Sequence, residues 1–256
     1  MKTPTTFLIN TFALSWALAL TACGGGGSGG GGGAVPVASA QGLWSGNTST
    51  SRSVTGIVLD DGTYWLLYSV PNVSALTAGF VQGAGTSLNG SFTSANAIDF
   101  NFSGQGVSKA TVSASYITKQ SLNGSVSYPS ANAPLTFTSS YNPAYDQAPN
   151  LAAVAGNYLG VASVANSNEA VTFIVSAQGV LAGTGTTTGC QYGGLVAPRT
   201  KGNLYDVALV IGGGGCASGT NSLTGIGYFD AGSKRLNLAA LNPSRTFGMS
   251  FTGIKP

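Results

Sequence analysis

The chain has no histidine, and charged residues make up only 7% of it. The first absence removes His-based general acid–base chemistry, Ser-His triads and imidazole metal ligands. No serine sits in a strand–turn–helix G-x-S-x-G elbow and no S-x-x-K run occurs, which leaves a Ser–Lys dyad assembled in space as the sole hydroxyl nucleophile open to it. The acids are Asp60, Asp61, Asp99, Asp146, Glu169, Asp206 and Asp230. A glycosidase needs two facing carboxylates, and the adjacent Asp60 and Asp61 are explained by a turn instead. Asp99 and Asp206 fall inside strand patterns, where the expectation is a side chain facing solvent.

Other scarcities narrow the field further. Net charge is +3, one unit of it from Lys2, and the close basic pairs are Arg199/Lys201 and Lys234/Arg235. Phosphate binding needs a basic stripe, so nucleic acid is not an expected partner. No apolar run after Leu20 approaches the ~20 residues of a membrane helix. The glycine-rich stretches at Gly183–Gly189 and Gly212–Gly215 lack a phosphate-binding Lys-Ser/Thr and a following helical pattern, so no nucleotide or other cofactor is expected.

The N-terminus is the most legible part of what is present. Lys2 precedes a largely apolar run from Phe7 to Leu20, the length of a signal-peptide core. Leu20-Thr21-Ala22-Cys23 comes next, then almost pure glycine through Gly33. The four residues ending in Cys23 resemble the bacterial lipobox, which implies cleavage after residue 22 and acylation of Cys23. An ordinary secretory signal with a chance cysteine is the alternative. Gly24 rather than aspartate after the cysteine implies, on the bacterial sorting pattern, transfer to the outer membrane. Glycine-rich chain behaves as a flexible coil, so Gly24 to Gln41 would hold a folded body on the order of 20–25 Å from its anchor. Stable membrane attachment takes more than one acyl chain, and a lipoprotein's modified cysteine resembles that case.

The rest reads as short strands between turn clusters, with no helical period. Ile57–Leu59 and Tyr64–Tyr68 flank Asp60-Asp61-Gly62, a hairpin signal with Gly62 free to take positive φ. Further strands are expected near Ser91–Phe92, Ile98–Phe102, Thr111–Ile117, Gly124–Tyr128 and Leu135–Ser139. After a Pro/Asn-rich connection the pattern restarts. Gly156-Asn157-Tyr158-Leu159-Gly160 echoes Gly42-Leu43-Trp44-Ser45-Gly46, and Ile174–Gly179 echoes Ile57–Gly62, in the same order. That predicts a degenerate tandem repeat, against a background of chance similarity in a glycine-rich chain. Cys190 and Cys216 stand equidistant from Asn203, inside a run that reads as a hairpin turning at Thr200–Asn203. An antiparallel hairpin would set them opposite each other, and in an oxidising compartment they would form a disulfide worth roughly 3–4 kcal/mol on the chain-entropy estimate. A reactive or metal-binding pair is the alternative, with no third cysteine or histidine to complete a site.

These readings commit the chain to an all-β fold of two tandem small antiparallel β-barrels or sandwiches, the barrel preferred because closure hides strand edges that few charges could guard. The expected divisions are residues 1–22 as lipoprotein signal peptide, 23–41 as acylated Cys23 and tether, 42–141 and 155–256 as β domains, and 142–154 as linker. Gly42-x-Trp44-x-Gly46 resembles the first-strand motif of calycins, in which the tryptophan plugs one barrel end; the second half has Tyr158 there. Lipobox, polyglycine tether and barrel body together are similar in layout to Gram-negative surface lipoproteins of the factor H-binding and transferrin-binding B types. No ligand-contact motif carries over from those families; with the want of proton-transfer groups, the leading expectation is a non-catalytic outer-membrane lipoprotein, anchored through Cys23, that binds a macromolecule or glycan at the cell surface. A periplasm-facing assembly lipoprotein and a lipocalin-like carrier of a small apolar ligand are the alternatives. In Tyr64–Tyr68, Tyr64 and Tyr68 face one way and Trp65 the other, and all three are candidate partner contacts. No metal site is expected.

Overall fold

The computed structural model of the chain describes residues 38–256 except 214 and 217. The expected signal peptide, Cys23 and the expected tether as far as residue 37 lie outside the described residues. The body consists of two antiparallel barrels in sequence, as the strand-and-turn rhythm predicts.

The first barrel is built from β1 (Gly42–Thr48), β2 (Ser53–Val58), β3 (Thr63–Val70), β4 (Val73–Ala84), β5 (Thr86–Leu88), β6 (Ser91–Asn101), β7 (Gly106–Ile117), β8 (Ser121–Ser127) and β9 (Leu135–Tyr141). From β1 to β4 and from β5 to β9, each strand pairs with its neighbour in sequence. Pairing of β1 with β9, and of β4 with β6, closes the ring and leaves short β5 paired on β6 alone. The second barrel runs β10 (Gly156–Val164), β11 (Ser167–Val175), β12 (Val180–Gly185), β13 (Gln191–Pro198), β14 (Tyr205–Gly212), β15 (Asn221–Asp230), β16 (Arg235–Leu241) and β17 (Gly248–Ile254), closed by β10 on β17. A 3₁₀ turn at Pro143–Asp146 and one helical turn, α1 (Leu151–Val154), join them, each capped by an asparagine, Asn142 and Asn150.

The repeated signals take the same places in both barrels. Trp44 and Tyr158 are fully buried plugs. Trp44 Nε1 donates to the carbonyl of Ala40, four residues back, and the Tyr158 hydroxyl donates to the carbonyl of Val154, also four back. Two positions later a side chain has no room: a Cβ on Gly46 would lie 1.9 Å from Thr138 O, and one on Gly160 2.3 Å from Thr252 O. Gly62 (φ 83°) and Gly179 (φ 80°) turn the equivalent hairpins β2–β3 and β11–β12 in a region closed to most L-residues.

Three apolar cores result, one inside each barrel and one between them. Outward-facing Leu43, Ile57, Trp65, Leu67, Phe80 and Phe100 of the first barrel meet Leu204, Ile226, Tyr228 and Leu241 of the second, with Tyr145 of the connection. Phe80 stacks on Phe100 at 4.8 Å, and both rings lie against Gly248, where a Cβ would come within 2.6 Å of Phe100. Burying side chains of this size contributes roughly 1.5–3 kcal/mol each. At the edges, Asp60 pairs with Arg199 (3.4 Å) and Lys201 (3.2 Å), and Arg245 donates to the carbonyls of Gln82 (2.7 Å) and Asn96 (2.9 Å). The two barrels are one unit.

Candidate functional site

The end of the first barrel away from Trp44 is open. Alternation along β6 points Ala97 and Asp99 into the barrel while Phe100 points out to the second barrel. Asp99 is 5% exposed and, among the described residues, is the one buried charged side chain. It therefore does not face solvent as expected; Asp206, its side chain 57% exposed, does. Both oxygens of the Asp99 carboxylate are held. Oδ1 accepts from the Tyr68 hydroxyl at 2.7 Å and Oδ2 from the Tyr128 hydroxyl at 2.8 Å. Space for Tyr68 comes from Gly79 on β4, where a Cβ would sit 2.3 Å from the hydroxyl oxygen.

Arg52, at the β1–β2 turn, stands over the Tyr68 ring at 5.5 Å and donates through Nη1 to the carbonyl of Ser69 at 2.8 Å. Burial pushes the Asp99 carboxyl above its ordinary value of 3.8, against the opposing pull of the two tyrosine hydrogen bonds and Arg52. Burial and the adjacent carboxylate drive both tyrosine hydroxyls far up, which fixes them as donors. Around this cluster is a cavity of about 90 Å³, with Thr48, Thr50, Asn101 and Thr136 among its lining and Val54, Leu66, Val126 and Phe137 supplying apolar wall.

The expected partner-contact residues divide. Tyr64 is fully buried inside the first barrel, its hydroxyl 3.1 Å from Ser94 Oγ and its pKa raised by burial to about 12. Trp65 is 5% exposed, packed at 5.3 Å on Phe80 between the barrels, on the lining of a groove of about 550 Å³ that also includes Leu195, Asp206 and Leu241. Neither offers a free aromatic surface, because the second barrel covers the face that Trp65 presents. Tyr68 alone of the three lines the open mouth. Arg52 and Tyr128 carry no signal of this role in the sequence, and Asp99 carries only that of an acid inside a strand pattern.

The second barrel ends differently. Phe173 and Phe251 stack at 4.1 Å across its interior, with Tyr192 against Phe173 at 5.2 Å. Cys190 and Cys216 are disulfide-bonded, their Cα atoms 4.7 Å apart, at the end of the β13–β14 hairpin where Gln191 pairs with Gly212. Glu169 braces the same rim by accepting from Thr187 N (3.0 Å), Thr188 N (2.6 Å) and Thr188 Oγ1 (2.9 Å). Burial opposes its ionisation, yet these bonds outweigh it and hold the carboxyl below its usual range.

No family model and no curated protein matches the chain in sequence. Among solved structures it is similar to a provisionally described outer membrane protein of Bacteroides fragilis, at 15% identity over 84% of this chain and 96% of the other, with a TM-score of 0.26. A likeness that slight transfers neither fold nor function.

Proposed function

We propose that this protein is a non-catalytic, lipid-anchored module of the outer membrane that recognises a macromolecular or glycan partner at the cell surface through the mouth of its first barrel. The observation that carries the reading is the mouth itself: a buried carboxylate held by two tyrosines, an arginine beside them, a hydroxyl-bearing rim and apolar walls. Small-molecule pockets commonly measure about 300–1,000 Å³. At about 90 Å³ this one admits a single side-chain-sized group, which suits the tip of a larger partner better than a lipocalin-type cargo. Anchorage through Cys23 rests on the lipobox resemblance and gives the module its place.

The test uses Lys119, whose side chain is 59% exposed. A membrane-impermeant amine reagent applied to intact cells of the native host should modify Lys119, detected by peptide mapping. Modification only after the outer membrane is opened would overturn the surface reading. Release of the protein from the membrane fraction by Cys23→Ser checks the anchor independently.

A further inference from the structure

We infer that the mouth of the first barrel binds a carboxylate carried on a short apolar stem, with Arg52 taking the anionic head. This deepens the proposed binding role and rests on it. Arg52 is the cationic group on the lining of the mouth, and most of its donors are unspent. A guanidinium carries five N–H donors, and among the described residues the one side-chain hydrogen bond of Arg52 is Nη1 to the Ser69 carbonyl. A face-on ring fixes its plane without consuming donors, and Tyr68 lies beneath it at 5.5 Å. Two N–H groups in a fixed fork match the two oxygens of a carboxylate. Thr48 and Thr50, their hydroxyls 3.0 Å apart, stand at the same opening.

Asp99 does not compete for the ligand as an acceptor. The residue is 5% exposed, and both oxygens are turned to the tyrosine hydroxyls. It acts as a positioning residue, pinning Tyr68 under the guanidinium. A sugar ring pushed inward would bring hydroxyls against Val54, Leu66, Val126 and Phe137, which bond none of them. An aliphatic stem fits those walls. At about 90 Å³ the cavity is small against the roughly 300–1,000 Å³ of common ligand pockets, so the stem is short. A free short-chain carboxylic acid and the C-terminus of a chain ending in a small apolar residue present the same chemistry.

The experiment is an NMR titration of the full-length, isotope-labelled protein, reading the Arg52 Nε–Hε and Thr136 amide signals. The probes are butyrate, butylamine and 1-butanol, and the peptide Gly-Gly-Val as free acid and as amide. Butyrate or the peptide acid should shift both signals with at least tenfold higher affinity than the amine, the alcohol or the peptide amide. Arg52→Gln, shown folded by an unchanged amide spectrum elsewhere, should lose at least tenfold, and Arg52→Lys should recover part. Tighter binding of butyrate than of the peptide acid identifies a free acid as the source; the reverse identifies a chain terminus. Amine or alcohol shifting the mouth while the acids do not would overturn the carboxylate inference and leave the mouth as a binding site. No shift with any probe would remove both.

Discussion

Both barrels plug one end with an aromatic residue that bonds a carbonyl four positions back, yet their opposite ends have diverged. The second is tied shut by a disulfide and braced by Glu169 at the rim, while Phe173, opposite Tyr158 in the ladder, stacks on Phe251 in the interior. In the first, inward positions near the rim carry Tyr68 and Asp99, with Tyr128 just beyond β8, and the interior stops short of the opening. The outer walls differ as well. Across β6–β9 one register row reads Thr93, Ser113, Ser125, Thr136; across β11–β14 another reads Ile174, Ala182, Gly193, Val210. A duplicated plan keeps the plug and the glycine turns, which closure requires, and varies the rim and the wall, which it does not.

Truncating the filled barrel should have the largest effect. Phe173→Ala leaves a void beside Phe251 and Tyr192 and should cost roughly 3–5 kcal/mol in urea unfolding. Tyr68→Phe at the open mouth takes the donor from one oxygen of the buried Asp99 carboxylate and should cost roughly 1–3 kcal/mol in the same assay; no loss would mean that this hydrogen bond does not stabilise the fold. Next comes the tie. Cys190→Ser with Cys216→Ser should lower stability by roughly 3–4 kcal/mol, read as a shift in denaturation midpoint against the reduced and oxidised parent.

The smallest effect belongs to Asp99→Asn, roughly 1 kcal/mol or less, and its sign lies in the pH dependence. Because the folded state raises the Asp99 carboxyl, its contribution to stability is fully present below the unfolded value near 3.8 and is lost as pH rises through the higher folded value. Asp60, Asp146 and Glu169 are lowered and act in the opposite direction, so the parent alone does not isolate the effect. The variant should therefore gain relative to the parent from pH 4 to pH 7 in paired thermal melts. A constant difference would show that burial does not govern this carboxyl.

The hairpin strands either side of Asp60–Gly62, that turn, the repeat and the cysteine pairing were legible in the sequence, since each rests on local chemistry or on a symmetric spacing; β4 was not, and the strands expected at Ser91–Phe92 and Ile98–Phe102 are one, β6. The mouth was not. Alternation divides a strand into two faces without saying which is inside, and here both faces are covered. Ile98 and Phe100 look like the interior set of β6, yet they face the second barrel, so Asp99 reads as outward when it points in. A register shift between Ser94 and Ala97 breaks the phase that would otherwise carry over from Phe92. The same covering explains Trp65.

The short stretch ahead of β1 bears on mechanics. Ala40 is fully buried, its amide bonded to Ser87 Oγ at 3.0 Å and its carbonyl to Trp44, while Tyr116 holds the carbonyl of Ala38 at 2.8 Å. A pull on the chain ahead of Ala38 thus meets these contacts before it reaches β1. Because β1 is flanked by β2 and β9, that load is shared across two ladders at once. The chain thus enters the barrel through a strand held by a ladder on each side.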